Sequence, residues 1–247
     1  MQTIKNTGRF IWRIWFYGWV FFSVLAVFPA LLIIVSKEKW YPVFYKIARA
    51  WSKTILFIMG FRVDLTKETV LETNKSYLFC PNHTSIMDVM LMYVISKNPF
   101  VFIGKKEISK IPIFGYFYKK TNILVDRGDS ESRKQVIVEA NRRLKEGMSI
   151  CIFPEGLVPD DESVVLNDFK NGAFRLAIEH KIPIVPVTMY DCKRLFSFTF
   201  FSGKPGVLRA KLHAEIPTIE LESKHRNSLK KQTFSVIYDE LIGDLTK

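Results

Sequence analysis

A histidine and an aspartate stand five residues apart in the stretch from Leu78 to Asp88, and they are the residues best suited to chemistry. On one continuous helix, residues five apart point about 140° away from each other. His83 and Asp88 can therefore meet only if the histidine lies in a turn and the aspartate in the first turn of a helix. Thr84 and Ser85 favour such a helix start. In that geometry the carboxylate holds one ring nitrogen, and the other can act as a base toward a hydroxyl group.

The same spacing also has a purely structural interpretation. Ser85 and Asp88 resemble the two ends of a capping box, although Glu or Gln is more usual than Asp at the second position. The pair alone does not decide between the two interpretations. The decision depends on which other polar residues the fold brings to the turn.

The elements around this turn alternate between apolar runs and amphipathic stretches. The predicted strands are Phe61–Leu65, Tyr77–Cys80, Phe100–Ile103, Asn122–Val125, Ser149–Phe153 and Pro183–Val187. The predicted helices are Val89–Ile95, a short one in 111–116, Ser130–Lys145, Asn171–His180 and Ser223–Lys247. This order predicts an α/β fold with a mixed, largely parallel sheet flanked by helices.

Four polar turns follow predicted strands directly. They contain His83, Lys105, Arg127 and Glu155. Because loops gather at the carboxyl ends of parallel strands, we expect these turns to share one edge of the sheet.

The first quarter of the chain has a different composition from the rest. Residues 1–61 contain eight Lys or Arg, one acidic residue and all five tryptophans. Residues 14–35 carry no charge, and these 22 residues could cross a hydrocarbon core of about 30 Å. Basic residues mixed with Trp and Phe fit a membrane interface better than a nucleic-acid surface. We therefore expect a membrane-anchoring part in 1–61 and a catalytic domain in 62–247.

The mode of anchoring has two alternatives, a single span and a helical hairpin or interfacial anchor. Gly18 and Pro29 interrupt the apolar stretch, and basic residues flank both of its ends. These symmetric flanks give no orientation under the positive-inside rule. Residues 40–61 form an amphipathic pattern that could lie in the interface, with one face made of Val43, Ile47, Trp51, Thr54 and Ile58. The hairpin or interfacial anchor is favoured, and a removable signal peptide is not expected.

The cysteines and histidines predict neither disulfides nor metal sites. Cys80, Cys151 and Cys192 stand singly in apolar surroundings, which suits a reducing compartment. The four histidines show no metal-ligand spacing. His83 could instead take the proton from an alcohol as the alcohol attacks an acyl carbonyl. Because no Ser or Cys occupies a Gly-x-Ser-x-Gly elbow, direct transfer of the acyl group to the alcohol is favoured over a covalent acyl-enzyme.

Several motifs together resemble the glycerolipid acyltransferases of the lysophosphatidic acid (1-acyl-sn-glycerol-3-phosphate) acyltransferase type. The matching segments are Asn82-His83-x4-Asp88, Lys105-Lys106, Ile111-Pro112-x-x-Gly115, Leu124–Arg127, Phe153-Pro154-Glu155-Gly156, Phe169–Ala173 and Ile182–Val187. They cover about residues 77–190 in the family's order and spacing.

The resemblance implies transfer of a fatty acyl group from acyl-CoA or acyl-carrier protein to the free hydroxyl of a lysophospholipid, without a cofactor. His83 would be the base and Asp88 its partner. The acceptor would be bound by Asn82, Lys105, Arg127, Glu155, Gly156 and Lys170. Among these, Lys105 and Arg127 would contact its phosphate, and Glu155 and Gly156 would shape its site. The site would face the cytosol at the inner (cytoplasmic) membrane if the donor is a cytosolic thioester.

One departure from the family pattern leaves the acceptor open. The family commonly follows Gly156 with Thr-Arg-Ser, whereas this chain has Leu157 and then the acidic run Asp160–Glu162. The alternative acceptor is therefore another lyso-lipid, such as a lyso-aminolipid. A non-catalytic lipid-binding protein is the third hypothesis, and the intact His83 and Asp88 disfavour it.

Overall fold

A computed structural model describes residues 2–126, 128–158 and 163–246. The helices are α1 Gln2–Ile34, α2 Tyr41–Ile58, α3 Met87–Ile95, α4 Phe114–Thr121, α5 Ser130–Lys145, α6 Gly172–His180, α7 Cys192–Phe196 and α8 Arg226–Leu245. Short 3-10 turns lie at Glu38–Trp40, Lys106–Lys110 and Ser223–His225. The strands are β1 Phe61–Lys67, β2 Leu78–Pro81, β3 Phe100–Lys105, β4 Ile123–Val125, β5 Ser149–Cys151, β6 Ile184–Met189 and β7 Gly206–Leu212.

The seven strands form one sheet in the order β1-β7-β6-β2-β5-β3-β4. β2 is parallel to both β5 and β6, and β3 is parallel to both β5 and β4. An antiparallel bridge joins Ile184 to Ile216. The predicted fold class is therefore confirmed. β7 lies in a stretch for which the sequence analysis predicted no strand.

The chain divides into two compact units that are not continuous in sequence. The first contains Met1–Leu65, Thr84–Lys97 and Met189–Ala210, and the second contains Thr66–His83, Asn98–Thr188 and Lys211–Lys247. The predicted division between 1–61 and 62–247 stays a prediction.

In the first unit, α1 contains a stretch, Asn6–Ile34, that is long and apolar enough to cross a membrane, and little of it is buried. The helix runs through Gly18 and Pro29 without a break, although both were expected to interrupt it. Trp51 of α2 donates a hydrogen bond to Ser23 of α1, with 2.8 Å between Nε1 and Oγ. The length and composition of α1 are those of a membrane-associated helix. The two predicted modes of anchoring, a single span and a hairpin or interfacial anchor, stay predictions.

The helix α2 is amphipathic, but its buried stripe differs from the face predicted. The buried residues are Tyr41, Phe44, Tyr45, Ser52, Ile55 and Leu56. Val43 and Thr54 of the predicted face are exposed, while Ile47, Trp51 and Ile58 are half-buried. The predicted face is thus left largely uncovered by the protein.

The amino-terminal half of α1 is held to the loop 197–202 by a buried arginine. Arg13 is 1% exposed, and its guanidinium donates to the Ser197 carbonyl at 2.6 Å. The guanidinium also lies over the Phe196 ring, 4.5 Å from its centroid. Hydrogen bonds from a charged donor and cation–π contacts are both stronger in such dry surroundings. One face of this end of α1, which contains Arg13 and Phe16, therefore packs against protein.

Candidate active site

The site is built on the carboxyl ends of neighbouring parallel strands in the second unit. Pro81, the last residue of β2, pairs with Val187 of β6, and Phe79 pairs with Cys151 at the end of β5. Lys105, the last residue of β3, pairs with Val125, the last residue of β4. The turns that follow β2, β3, β4 and β5 therefore open at one edge of the sheet, as the sequence predicts.

His83 stands in the turn after β2 and is fixed by the loop that follows β5. Its backbone N–H donates to Glu155 Oε1 at 2.6 Å. Its ring stacks on the Phe153 ring with 4.0 Å between centroids and 20° between planes. Phe153 in turn lies parallel to Phe102 of β3, with 5.8 Å between their centroids. One face of the imidazole is thus covered by an aromatic ring, and the side chain stays half-buried at the sheet edge.

Glu155 is a buried carboxylate that joins two loops. It is 1% exposed. Besides His83, the backbone N–H of Asn167 donates to it, at 2.9 Å from Oε2. Lys170 N donates to the Pro154 carbonyl at 2.7 Å, and Gly156 N closes the turn onto the Phe153 carbonyl at 3.1 Å. A carboxylate that receives backbone N–H groups on both oxygens acts as a rigid brace.

The remaining predicted binding residues occupy different depths. Asn82 is buried, and its N–H donates to the Val187 carbonyl of β6 at 3.4 Å. Lys105 and Lys170 are exposed. The predicted contact of Arg127 and the acidic run Asp160–Glu162 lie outside the described residues.

In the first unit, Asp88 is buried in the first turn of α3. Its Oδ2 accepts hydrogen bonds from Thr84 N at 2.6 Å and from Ser85 N at 2.8 Å. Met87 N donates to Ser85 Oγ at 3.1 Å. The Asp88 side chain thus makes one half of a capping box by accepting from Ser85 N, whereas Asp88 N donates to the Ser85 backbone carbonyl at 3.2 Å and not to its hydroxyl. The proposed partnership of Asp88 with His83 stays a prediction.

The Ser85 side chain ties the turn that holds Asp88 to α7. Its hydroxyl donates to the Phe196 carbonyl. The same Phe196 carries the Arg13 guanidinium on its ring. The contact between Ser85 and Phe196 could not be predicted from the sequence, because nothing in the spacing of these residues indicates a contact over 111 residues.

The three cysteines are unsuited to nucleophilic chemistry. Cys80, Cys151 and Cys192 are free and buried. Burial raises the pKa of all three thiols well above the usual value, and for Cys192 the charge of Asp88 adds to the effect. The thiolate is the reactive form of cysteine, so these side chains stay inert near neutral pH.

One group in the described part of the chain has the ligand types of a metal site, Glu68, His213 and Glu240. The Lys211 ammonium already lies among them, 2.8 Å from Glu68 Oε1 and 2.7 Å from Glu240 Oε2. His213 Nε2 is 2.8 Å from Thr188 Oγ1, and its Nδ1 is 3.5 Å from Glu68 Oε2. Because the Lys211 ammonium bridges both carboxylates, the described residues of this group form an ion-pair network.

The network predicts a pH dependence of stability. Burial lowers the pKa of His213 below its usual value of 6.5 and outweighs the opposing charge of Glu68. The unfolded chain then binds a proton more readily than the folded one, so stability is full above about pH 6.5 and is lost as the pH falls below it. The melting temperature of the wild type should therefore decrease from pH 7 to pH 5, and the melting temperature of His213→Gln should decrease less.

Two charged groups besides Glu68 act on His213, namely Lys211, whose charge lowers the pKa of His213, and Glu240, whose charge raises it. The slope that remains in His213→Gln is expected to come from His180, whose pKa burial also lowers. Equal slopes in the wild type and His213→Gln, measured by thermal unfolding in detergent, would contradict the assignment.

Comparison with known proteins gives consistent results. The profile of the acyltransferase family matches residues 62–190. A Schizosaccharomyces pombe protein described as an uncharacterized acyltransferase is 26% identical over 244 residues, which are 97% of this chain and 87% of that protein. The 1-acyl-sn-glycerol-3-phosphate acyltransferase of Escherichia coli is 34% identical over 132 residues, 53% of each chain.

A solved structure shares the fold over the whole chain. It is PlsC, the 1-acyl-sn-glycerophosphate acyltransferase of Thermotoga maritima, with a TM-score of 0.74 and 20% sequence identity. The match covers 100% of this chain and 99% of that one. At this identity the likeness is one of fold.

Proposed function

The chain belongs to the acyltransferase family, and from that premise we propose that it acylates the free sn-2 hydroxyl of 1-acyl-sn-glycerol 3-phosphate to give phosphatidic acid. The observation that carries the proposal is the His83 turn, stacked on Phe153 and braced by Glu155 at the shared strand edge. The names of several relatives, among them the E. coli enzyme, support the same acceptor.

The proposed mechanism is direct transfer with His83 as general base. The imidazole removes the proton from the acceptor hydroxyl while its oxygen attacks the thioester carbonyl carbon. The tetrahedral intermediate then collapses, the carbon–sulfur bond breaks, and the imidazolium returns the proton to the leaving thiol. Asp88 would stabilise the imidazolium, as carboxylates do in hydrolase triads.

The charge of the acceptor fits cations at the strand edge. We propose that Lys105, Lys170 and Arg127 bind its phosphate, with Asn82, Glu155 and Gly156 shaping the site around them. Acyl-CoA or acyl-carrier protein would be the donor, no cofactor would be needed, and the site would face the cytosol at the cytoplasmic membrane.

Removing the charge of Lys105 should weaken binding of a phosphate-bearing acceptor. A hydrogen bond to a charged group contributes about 1.5–3 kcal/mol, so kcat/KM should fall about 10- to 100-fold in Lys105→Met, mostly through KM. Lys134→Met on α5 is the matched control, because Lys134 is exposed and forms a surface ion pair with Glu131, three residues earlier on the helix. Unchanged kinetics in Lys105→Met would remove Lys105 from the site.

A second acceptor class remains, because the family arginine after Gly156 is absent. Membranes containing the full chain should be supplied with labelled acyl-CoA and a panel of lyso-lipids that differ in head group. Phosphatidic acid as the main product supports the proposal. Product only from a lyso-aminolipid would support the same mechanism with a different acceptor. No acylated product with either acyl-CoA or acyl-carrier protein as donor would overturn the proposed activity.

A further inference from the structure

A short segment after β3 presents large apolar side chains to solvent. Ile111, Pro112, Ile113 and Phe114 are four consecutive exposed residues, and Tyr116 is exposed as well. Residues 111–116 are called the apolar knob here. A soluble protein rarely leaves neighbouring large apolar side chains uncovered, so such a patch indicates an interaction site.

The backbone of the apolar knob is strained. Ile113 has φ +66° and ψ −63°, a conformation that a β-branched residue rarely adopts and that costs about 1–3 kcal/mol. Phe114 N donates to the Pro112 carbonyl and Gly115 N to the Ile111 carbonyl, each at 2.7 Å. The fold thus keeps the exposed Ile113 in a backbone conformation that a β-branched residue disfavours.

The knob is also fixed to its support. A side chain at Gly115 would collide with the Ser109 carbonyl, so the knob packs closely on the preceding 3-10 turn. The Tyr118 hydroxyl fills the space that a side chain at Gly104 would take, and Phe114 stacks on Tyr118 with 5.8 Å between centroids. Gly104 belongs to β3, so the knob is mounted on one of the strands that carry the site.

Exposed lysines lie on both sides of the knob in the sequence. Residues 105–121 contain one acidic residue, Glu107, and five exposed lysines: Lys105, Lys106, Lys110, Lys119 and Lys120. These five lysines are called the basic collar. Each lysine near an anionic leaflet contributes about 1 kcal/mol of attraction, and apolar tips add binding in proportion to the area they bury.

We propose that the apolar knob, flanked in the sequence by the basic collar, is a second membrane contact that inserts Ile111, Ile113 and Phe114 below the headgroups of an anionic leaflet. It is distinct from the long apolar helix α1. The choice of a lipid partner rests on the proposed function, whose acceptor is a membrane lipid. A bilayer seated on the knob would bring headgroups to the end of β3, which is separated by β5 alone from β2, the strand that leads into the turn of His83.

An acidic soluble protein could also be attracted to the basic collar, but it would not bury the apolar side chains of Ile111, Ile113 and Phe114 as a lipid bilayer would. The membrane is therefore the better partner for the combination. The test must separate the two, and it must also separate knob contact from anchoring by α1.

A fluorescent probe on the knob separates them in the full chain. The three native cysteines are buried, so an environment-sensitive dye should attach selectively to Ile113→Cys. Val138→Cys on α5, where the native side chain is 70% exposed, is the matched control. Both proteins are reconstituted in phosphatidylglycerol/phosphatidylcholine vesicles, with spin-labelled lipids as quenchers. Since α1 anchors either variant, the dye reports only the local position.

We expect blue-shifted emission and several-fold stronger quenching at 113 than at 138, reduced in pure phosphatidylcholine or at high salt. Equal, water-like emission at both positions would overturn the proposal, as would shielding at 113 that appears only when acyl-carrier protein is added. Phe114→Cys gives the same test if the first variant does not fold. The dye reports membrane contact and not enzymatic turnover. Failure of the proposed acyl transfer would therefore be seen in the activity assay and would not change the dye signal.

Discussion

The His83→Ala protein should transfer acyl groups about 10²- to 10⁴-fold more slowly than the wild type, the usual contribution of a general base. The fold should survive, because Glu155 accepts its hydrogen bond from the backbone N–H of residue 83, which alanine keeps. The measurement is initial-rate acyl transfer to the preferred lyso-lipid, with protein levels matched in the membrane fraction.

Stacking and proton transfer can be separated by His83→Phe. A phenyl ring can still pack on Phe153, as the imidazole does at 4.0 Å, but it cannot accept a proton. We expect both variants to be similarly inactive, while His225→Ala, in the 3-10 turn before α8, keeps full activity. An active His83→Phe protein would show that the ring serves only to fill space, and the general-base mechanism would then be wrong.

The second large effect is expected for Glu155→Gln. Glutamine keeps the size of the side chain but offers one carbonyl and one NH₂ group, so the NH₂ would face either His83 N–H or Asn167 N–H, both of which are donors. A buried hydrogen bond to a charged group that is lost costs about 1.5–3 kcal/mol. Since a displacement of about 1 Å in a catalytic turn can cost about 10²-fold in rate, activity should fall by that order.

The thermal stability of Glu155→Gln should fall as well, by several degrees, since about 1 kcal/mol corresponds to about 2–4 °C in a chain of this size. Glu179→Gln is the control, because Glu179 pairs with Arg175 at the surface of α6, where ion pairs contribute little. Wild-type rate and melting temperature in Glu155→Gln would mean that the carboxylate does not brace the turn.

Much of the fold could be predicted from local patterns. The helix α5 has the predicted bounds because Asp129 caps its start by accepting from Glu131 N, and Gly147 follows its end at φ +75°. The strands that carry the site were found as apolar runs. β7 shows alternating burial of Leu208, Ala210 and Leu212, a period-two pattern that the sequence already contains and that could have identified it.

The supports of the site depend on contacts between distant residues and could not be predicted in the same way. The Phe-Pro-Glu-Gly segment marked Glu155 as important, but its partners His83 and Asn167 lie 72 and 12 residues away. The positive φ of Ile113 was equally hidden, because a β-branched residue is the least expected at such a position. The division into two discontinuous units has the same origin in long-range packing.

Through Arg13, the helix α1 also supports the folded part of the first unit. Its guanidinium binds the Ser197 carbonyl and the Phe196 ring, and the Phe196 carbonyl receives the hydroxyl of Ser85 beside Asp88. Cutting the chain after α1 to obtain a water-soluble enzyme for crystallisation would uncover this aromatic surface and remove the Arg13 contacts from the residue that supports Ser85. A soluble version would instead have to keep the first four turns of α1 and replace only the outward apolar side chains from Tyr17 onward.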